Sequence, residues 1–288
     1  RPPPAPHARP TFFTPTASDA PPPASSSQTP LRHFKEVGPG FYNLRTPLTV
    51  LGGLVSVGTH MSVVRLASGG FVALSTAELS REAKAELDGL TDGGKRLEFV
   101  VATHPYHTLA FADFYKAYPK ATYVGTPRHL KKMPEIPWVG KVNDPEWLER
   151  WSPELELRIP DGTEFENAGD DHFSNVVAFH RPSKTMVVDD TWMFMEDPGL
   201  PARLILKPGV LRFHPRMALG GVGKSSVAVE RFRGWVEGVI RDWDVENIAC
   251  AHDGVAMGKG RERLRKALEE AKPTLDGMAK KYNYGSGI

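Results

Sequence analysis

The chain is 288 residues long, enough for one large domain or two small ones, and 40% of it is apolar, with 6 Trp and 14 Phe available for a core. Its 36 basic and 34 acidic residues nearly cancel and no block of five like charges occurs, which argues against a nucleic-acid or membrane-surface partner. Cys250 is the single cysteine, excluding an internal disulfide or a cysteine-based metal cluster, and no apolar run approaches the ~20 residues of a membrane span.

Arg1 to Pro30 is dense in Pro, Ala, Ser and Thr, with Pro-Pro-Pro at Pro2 to Pro4 and at Pro21 to Pro23. Such a segment has too little apolar surface to offset its ordering entropy, so residues 1–33 read as an extended arm or linker ahead of one domain over 34–288. The start at Arg1 rather than Met leads to the expectation that a leader or an upstream region is already gone. The compartment and the oligomeric state are left open.

From Phe41 to Leu74 the pattern is repeated short strands, with Val63 to Leu66 and Phe71 to Leu74 flanking Ala67-Ser68-Gly69-Gly70 as a hairpin. Ser80 to Leu90 reads as a helix with Ser80 as N-cap. LEFVVA, starting at Leu97, is apolar and β-branched, as in a strand buried on both faces. It breaks into Thr103-His104-Pro105-Tyr106-His107, where Pro105 disfavours helix at His104 and puts both imidazoles on a loop. Leu109 to Tyr118 follows as a helix and ATYVGT as a strand, after which Pro127 to Pro145, with four prolines, reads as a loop-rich insertion. Glu146 to Trp151 reads as a short helix, and Leu155 to Phe165 as a strand, a turn at Asp161-Gly162 and a further strand start. NVVAF and TMVVD bracket His180 to Lys184 as a second hairpin, Ser226 to Trp243 is an amphipathic helix, Val245 to Ala251 a last strand, and Arg261 to Ala271 a closing helix with a frayed tail at Lys280 to Tyr284.

His or Asp residues recur beside predicted strand ends: His104 and His107 after LEFVVA, His172 before NVVAF, Asp189-Asp190 after TMVV, and His252 after NIACA. Imidazole and carboxylate suit zinc, or iron and manganese, and such a set with an open position would hold a reactive water. A lone His or Asp at a strand end is ordinarily a solvated or capping residue, so only the recurrence raises the signal.

From about Leu48 to Gly254 the order of features resembles the metallo-β-lactamase superfamily, whose members carry H-x-H-x-D-H after a strand, then a His, an Asp closing a strand, and a His near the carboxyl end. The resemblance is closest to an uncharacterised branch with segments like SVVRLASGGFVALS and VAFHRPSKTMVVDD. It implies an α/β fold, a four-layer αββα sandwich of two mixed sheets with helices outside. It also implies that His104 stands for the first motif His, His172 for the third, Asp190 for the bridging Asp and His252 for the last His. The second motif His would fall at Tyr106, and the Asp-His pair at Thr108 and Leu109, which cannot bind a metal. One divalent ion is therefore expected, zinc ahead of iron or manganese, held by His104 or His107, His172 and Asp190, with His252 as a fourth ligand or proton carrier and Asp189 as the alternative to Asp190.

Two functions follow. One is a mononuclear metal-dependent hydrolase of an ester, lactone, thioester or similar acyl substrate, with Asp190 and His252 as catalytic residues and Trp138, Trp192, Met193 and Phe194 as pocket walls. The other is a non-catalytic protein of the same fold that has lost its ion and binds a small molecule in the cleft. ALGGVGKS, ending at Ser225, fits a permissive phosphate-loop pattern but reads as a glycine-rich helix cap, Arg212, His214 and Arg216 as a basic rim, and Cys250 as a small core residue.

Overall fold

Strands that are apolar on both faces need cover on both, and this chain supplies helices for one side and a second sheet for the other. The computed structural model describes residues 31–283 apart from 48, 51–54, 57, 167–171, 197–206 and 253. The arm expected at the start lies outside this range up to residue 30. The first half runs β1 (Phe34–Gly38), β2 (Phe41–Thr46), β3 (Thr49–Val50), β4 (Val55–Ser56), β5 (Thr59–Arg65), β6 (Phe71–Leu74), α1 (Arg81–Thr91), β7 (Leu97–Val101), α2 (Phe111–Ala117), β8 (Thr122–Gly125), α3 (Pro127–Lys132) and β9 (Trp138–Lys141). The second half runs α4 (Pro145–Glu149), β10 (Leu155–Arg158), β11 (Val177–His180), β12 (Thr185–Val188), β13 (Trp192–Phe194), β14 (Leu211–Phe213), α5 (Ser226–Asp242), β15 (Asn247–Cys250), β16 (Val255–Ala256) and α6 (Gly260–Asn283).

One mixed sheet has the order β1-β2-β5-β6-β7-β8-β9 and the other β10-β11-β12-β15-β16. Period-two alternation sorts their side chains into layers. Met61, Val63, Ala73 and Val100 face α1 and α2 in one core, and Val177, Phe179, Met186, Val188, Ile248 and Cys250 face α5 and α6 in another. Val64, Leu74, Val101 and Val124 meet Leu155, Ala178, Val187 and Ala249 between the sheets. The layers are helices, sheet, sheet, helices. Ser80 caps α1 through the Ala83 amide, as its sequence position predicts.

Several expectations are corrected. The stretch from Pro127 to Pro145 holds α3, which uses Pro127 in its first turn under a Thr126 cap, and β9, which continues the sheet beside β8. The closing helix runs on to Asn283 through Pro273, so Lys280 to Asn283 are helical rather than frayed; Leu275 and Met278 anchor that extension in the core. The further strand start after Asp161-Gly162 is a single bridge, Thr163 to Val222. Trp192 and Phe194 are not cleft walls, because alternation along β13 turns both into the core and leaves Met193 outward. Trp138 packs on Phe111, Tyr123 and His129. In ALGGVGKS, Ala218 and Leu219 close a 3-10 turn and Ser225 caps α5 through Ala228.

Candidate metal centre

Parallel pairing puts the site residues side by side. β12 and β15 pair with Val188 opposite Cys250, so Asp190 and His252, each two residues beyond, leave the sheet at the same edge. β6, β7 and β8 pair in parallel with Leu74 opposite Val101 and Val101 opposite Val124, which carries the His104 loop to the neighbouring edge of the other sheet. The Val176 amide donates to the Thr103 carbonyl at 2.7 Å, tying the two edges together.

His104, His107 and Asp190 each offer a donor atom within 4.8 Å of the other two. His104 Nε2 lies 3.2 Å and His107 Nε2 3.7 Å from Asp190 Oδ2, and His252 Nε2 lies 3.1 Å from Asp190 Oδ1. Asp189 continues the strand alternation toward the space between the sheets, where its Oδ1 meets His60 Nε2 at 3.3 Å and His107 Nδ1 at 3.4 Å. Both candidate histidines of the loop therefore reach the cluster, and Asp190 rather than Asp189 occupies it. His172 stands outside it; its ring is exposed and stacks on Tyr106 at 3.9 Å, 6.0 Å from the His104 ring.

Burial opposes charge on every one of these groups, and the carboxylates decide which histidines carry it anyway. Burial disfavours an imidazolium at His107, but Asp189 and Asp190 outweigh it and hold His107 well above its ordinary range. Burial likewise disfavours the two carboxylates, yet His107 and His60 hold Asp189 far below the carboxylate range, and His104, His107 and His252 do the same for Asp190. His60 is lowered to about 4, chiefly by burial, and His104 to about 3 by burial and then by the charge on His107. His252 is raised, Asp190 outweighing its burial. Two buried carboxylates thus demand positive charge in one place.

A small divalent cation fits that demand. Asp189 Oδ2 and Asp190 Oδ1 are buried and accept no hydrogen bond, as groups awaiting another neighbour would be. The donor set, imidazole and carboxylate without thiolate, suits zinc, iron or manganese.

Three residues that the sequence reading did not single out shape the centre. His60 shares the inter-sheet face of β5 with Val64 and supports Asp189. His129 takes a hydrogen bond from Thr126 at Nδ1 and so donates Nε2–H to the His107 carbonyl at 3.3 Å, holding the loop backbone. Arg45 donates to the carbonyls of Cys250, Ala251 and Gly254 and braces the loop that presents His252. A lone His or Arg on a strand gives no hint of such partners; only the period-two register of β5 marked His60 as inward. Cys250 is buried and its thiol is pushed up to about 12 by that burial, as expected for a core residue.

The cluster opens into a cavity of about 850 Å³. Leu79, Leu109, Phe114, Met193 and Met195 form apolar walls, and Tyr106, His214 and Arg216 contribute polar groups. No helix among the described residues is long and apolar enough to cross a membrane.

No protein-family model matches the sequence, and no curated protein does. Solved structures do. A metallo-beta-lactamase from Pontibacter korlensis is 11% identical, with 82% of this chain and 98% of that one covered at a TM-score of 0.53. A metallo-beta-lactamase from Hirschia baltica is 14% identical over 82% and 95%, at 0.52. A fragment from Nostoc sp., assigned as a diflavin flavoprotein, is 12% identical over 87% and 97%, at 0.56. Identities this low speak to the fold alone, and the element order, the two mixed sheets and the outer helices agree with it. The chain has the metallo-β-lactamase fold, a four-layer αββα sandwich.

Proposed function

We propose that this protein is a metal-dependent hydrolase of an ester, lactone, thioester or similar acyl substrate, working with one divalent ion. The observation that carries this reading is the buried meeting of His104, His107 and Asp190, with His252 beside them, at the floor of an open cavity. Such an ion supplies Lewis acidity, which polarises a carbonyl and makes water nucleophilic near neutral pH. The residues do the rest. Asp190, held as an anion by its histidine neighbours, is suited to binding the ion and to fixing His252 beside it. His252 lies against Asp190 Oδ1 and is its proton partner or a further ligand. The wall of Leu79, Leu109, Phe114, Met193 and Met195 receives an apolar acyl or alkoxy group and keeps bulk water from it.

The test is metal analysis of the purified protein together with a panel of aryl esters, lactones and thioesters. Turnover that a chelator abolishes and Zn²⁺, Fe²⁺ or Mn²⁺ restores supports the reading. Absence of bound metal and of metal-dependent turnover across the panel removes it.

A further inference from the structure

Resting on the reading above, we infer that the ion is taken by His107, His252 and Asp190, and that His104 is not a ligand but a fixed hydrogen-bonding strut. The argument is one of hydrogen-bond polarity. His104 Nδ1 accepts from the Tyr106 amide at 3.1 Å, and its Nε2 faces the His172 carbonyl oxygen at 3.4 Å. A main-chain amide can only donate and a carbonyl can only accept, so His104 carries its single proton on Nε2 and has its one lone pair already engaged. Placing an ion on Nε2 would move the proton to Nδ1, directly against the Tyr106 N–H.

His252 has the opposite arrangement. Its Nδ1–H donates to the Gly58 carbonyl oxygen at 2.9 Å, so Nε2 is the nitrogen left for a ligand, and it lies 3.1 Å from Asp190 Oδ1. A cation bound there would take the place of the proton that His252 holds against Asp190.

His107 is held in the same sense by a longer chain. The Asn43 side-chain nitrogen lies 3.2 Å from the Met61 carbonyl oxygen, which fixes that end of the amide as the donor. His60 is held neutral by burial and its Nε2 faces the Asp189 carboxylate at 3.3 Å, so Nε2–H donates to Asp189 Oδ1 and Nδ1 is left as an acceptor, 3.3 Å from the same Asn43 nitrogen, which also donates to Ser62 Oγ at 3.0 Å. Asp189, anchored there, sits 3.4 Å from His107 Nδ1 and favours a proton on that nitrogen, so Nε2, on the Asp190 side, is the nitrogen a cation would take. A carboxylate behind a histidine that ligates through its other nitrogen is the usual way of orienting such a ligand. Asn43, His60 and Asp189 are then positioning residues, and the loop offers its second histidine rather than its first.

Two measurements test this on the full chain. In the first, Zn²⁺ affinity is read by competition with a chromophoric chelator. His107→Ala and His252→Ala should each weaken Zn²⁺ binding by roughly a hundredfold or more, Asp189→Asn by about 10–100-fold, and His104→Gln by less than about tenfold. His60→Gln, which keeps a donor to Asp189, should restore most of what His60→Leu loses. In the second, long-range proton–nitrogen NMR on the Zn²⁺-loaded wild type reads the tautomers without any variant. His107 and His252 should carry Nδ1–H and His104 Nε2–H. A His104 with Nε2 on the metal, or a His104→Gln protein that loses Zn²⁺ as fully as His107→Ala, overturns the inference and leaves the hydrolase reading standing. A wild type that binds no Zn²⁺, Fe²⁺ or Mn²⁺ overturns both.

Discussion

Asp190 Oδ1 and His252 Nε2 lie 3.1 Å apart because β12 and β15 run parallel with Val188 opposite Cys250, and each residue sits two positions beyond its strand. Asp190 is in contact with His104, His107 and His252 alike. Asp190→Asn keeps the volume and removes the charge that draws a cation, so metal affinity should fall at least about a hundredfold. Metal content after dialysis measures this, with circular dichroism to show that the fold is retained.

Arg45 holds three carbonyls of the loop that carries His252. Lys is a single point donor and cannot replace the planar fork. Arg45→Lys should lower metal affinity about tenfold through a loosened His252, with a smaller effect on thermal stability. Chelator competition and a melting curve separate the two effects.

Glu86 on α1 accepts hydrogen bonds from the amides of Arg32, His33 and Phe34, which pins the entry of the chain to the outer helix layer. Burial raises its carboxyl, but those amides and the His33 side chain outweigh it and lower it to about 2. A carboxylate depressed in the folded state contributes stability in full above its ordinary value near 4.5, and that contribution fades as pH falls toward 2. Its edge meets solvent, so the contribution is about 1–2 kcal/mol, less than the shift alone implies. Glu86→Gln should therefore be less stable than wild type by that amount at pH 7 and equal to it near pH 2, by urea unfolding at each pH.

Gly162 has φ of +74° and lies under the first turns of α5, where an added Cβ would collide with the Ala228 carbonyl oxygen. The same residue accepts a hydrogen bond from the Gly223 amide. Gly162→Ala should cost about 1–3 kcal/mol from backbone strain and the displaced helix. Denaturant unfolding would read it.

Local signals carried the strands well: LEFVVA, TMVVD and NIACA are apolar over a few residues and end in polar loops, and all three are strands that bring a candidate ligand to a sheet edge. The proline-rich stretch from Pro127 misled because proline is tolerated at a first helical turn, which α3 exploits, and because Pro134 and Pro137 fall between α3 and β9 rather than inside either. Pro273 hid the last turns of α6 for the opposite reason; packing of Leu275 and Met278 overrides its local preference. His60 and Arg45 were invisible because their partners are more than a hundred residues away, at Asp189 and at Cys250 to Gly254. His104 and His107 were seen as a pair but could not be told apart, since tautomers depend on the Tyr106 amide, the His172 carbonyl and Asp189.

Equilibrium dialysis of the wild type against Zn²⁺, Fe²⁺ and Mn²⁺, followed by elemental analysis, is the most direct test of the central claim that these buried imidazoles and carboxylates form a cation site. The account predicts about one ion per chain for at least one of the metals, and a stability gain on loading of about 2.7 kcal/mol at a hundredfold excess over the dissociation constant. No retained ion, with identical unfolding curves in metal and in chelator, would contradict it.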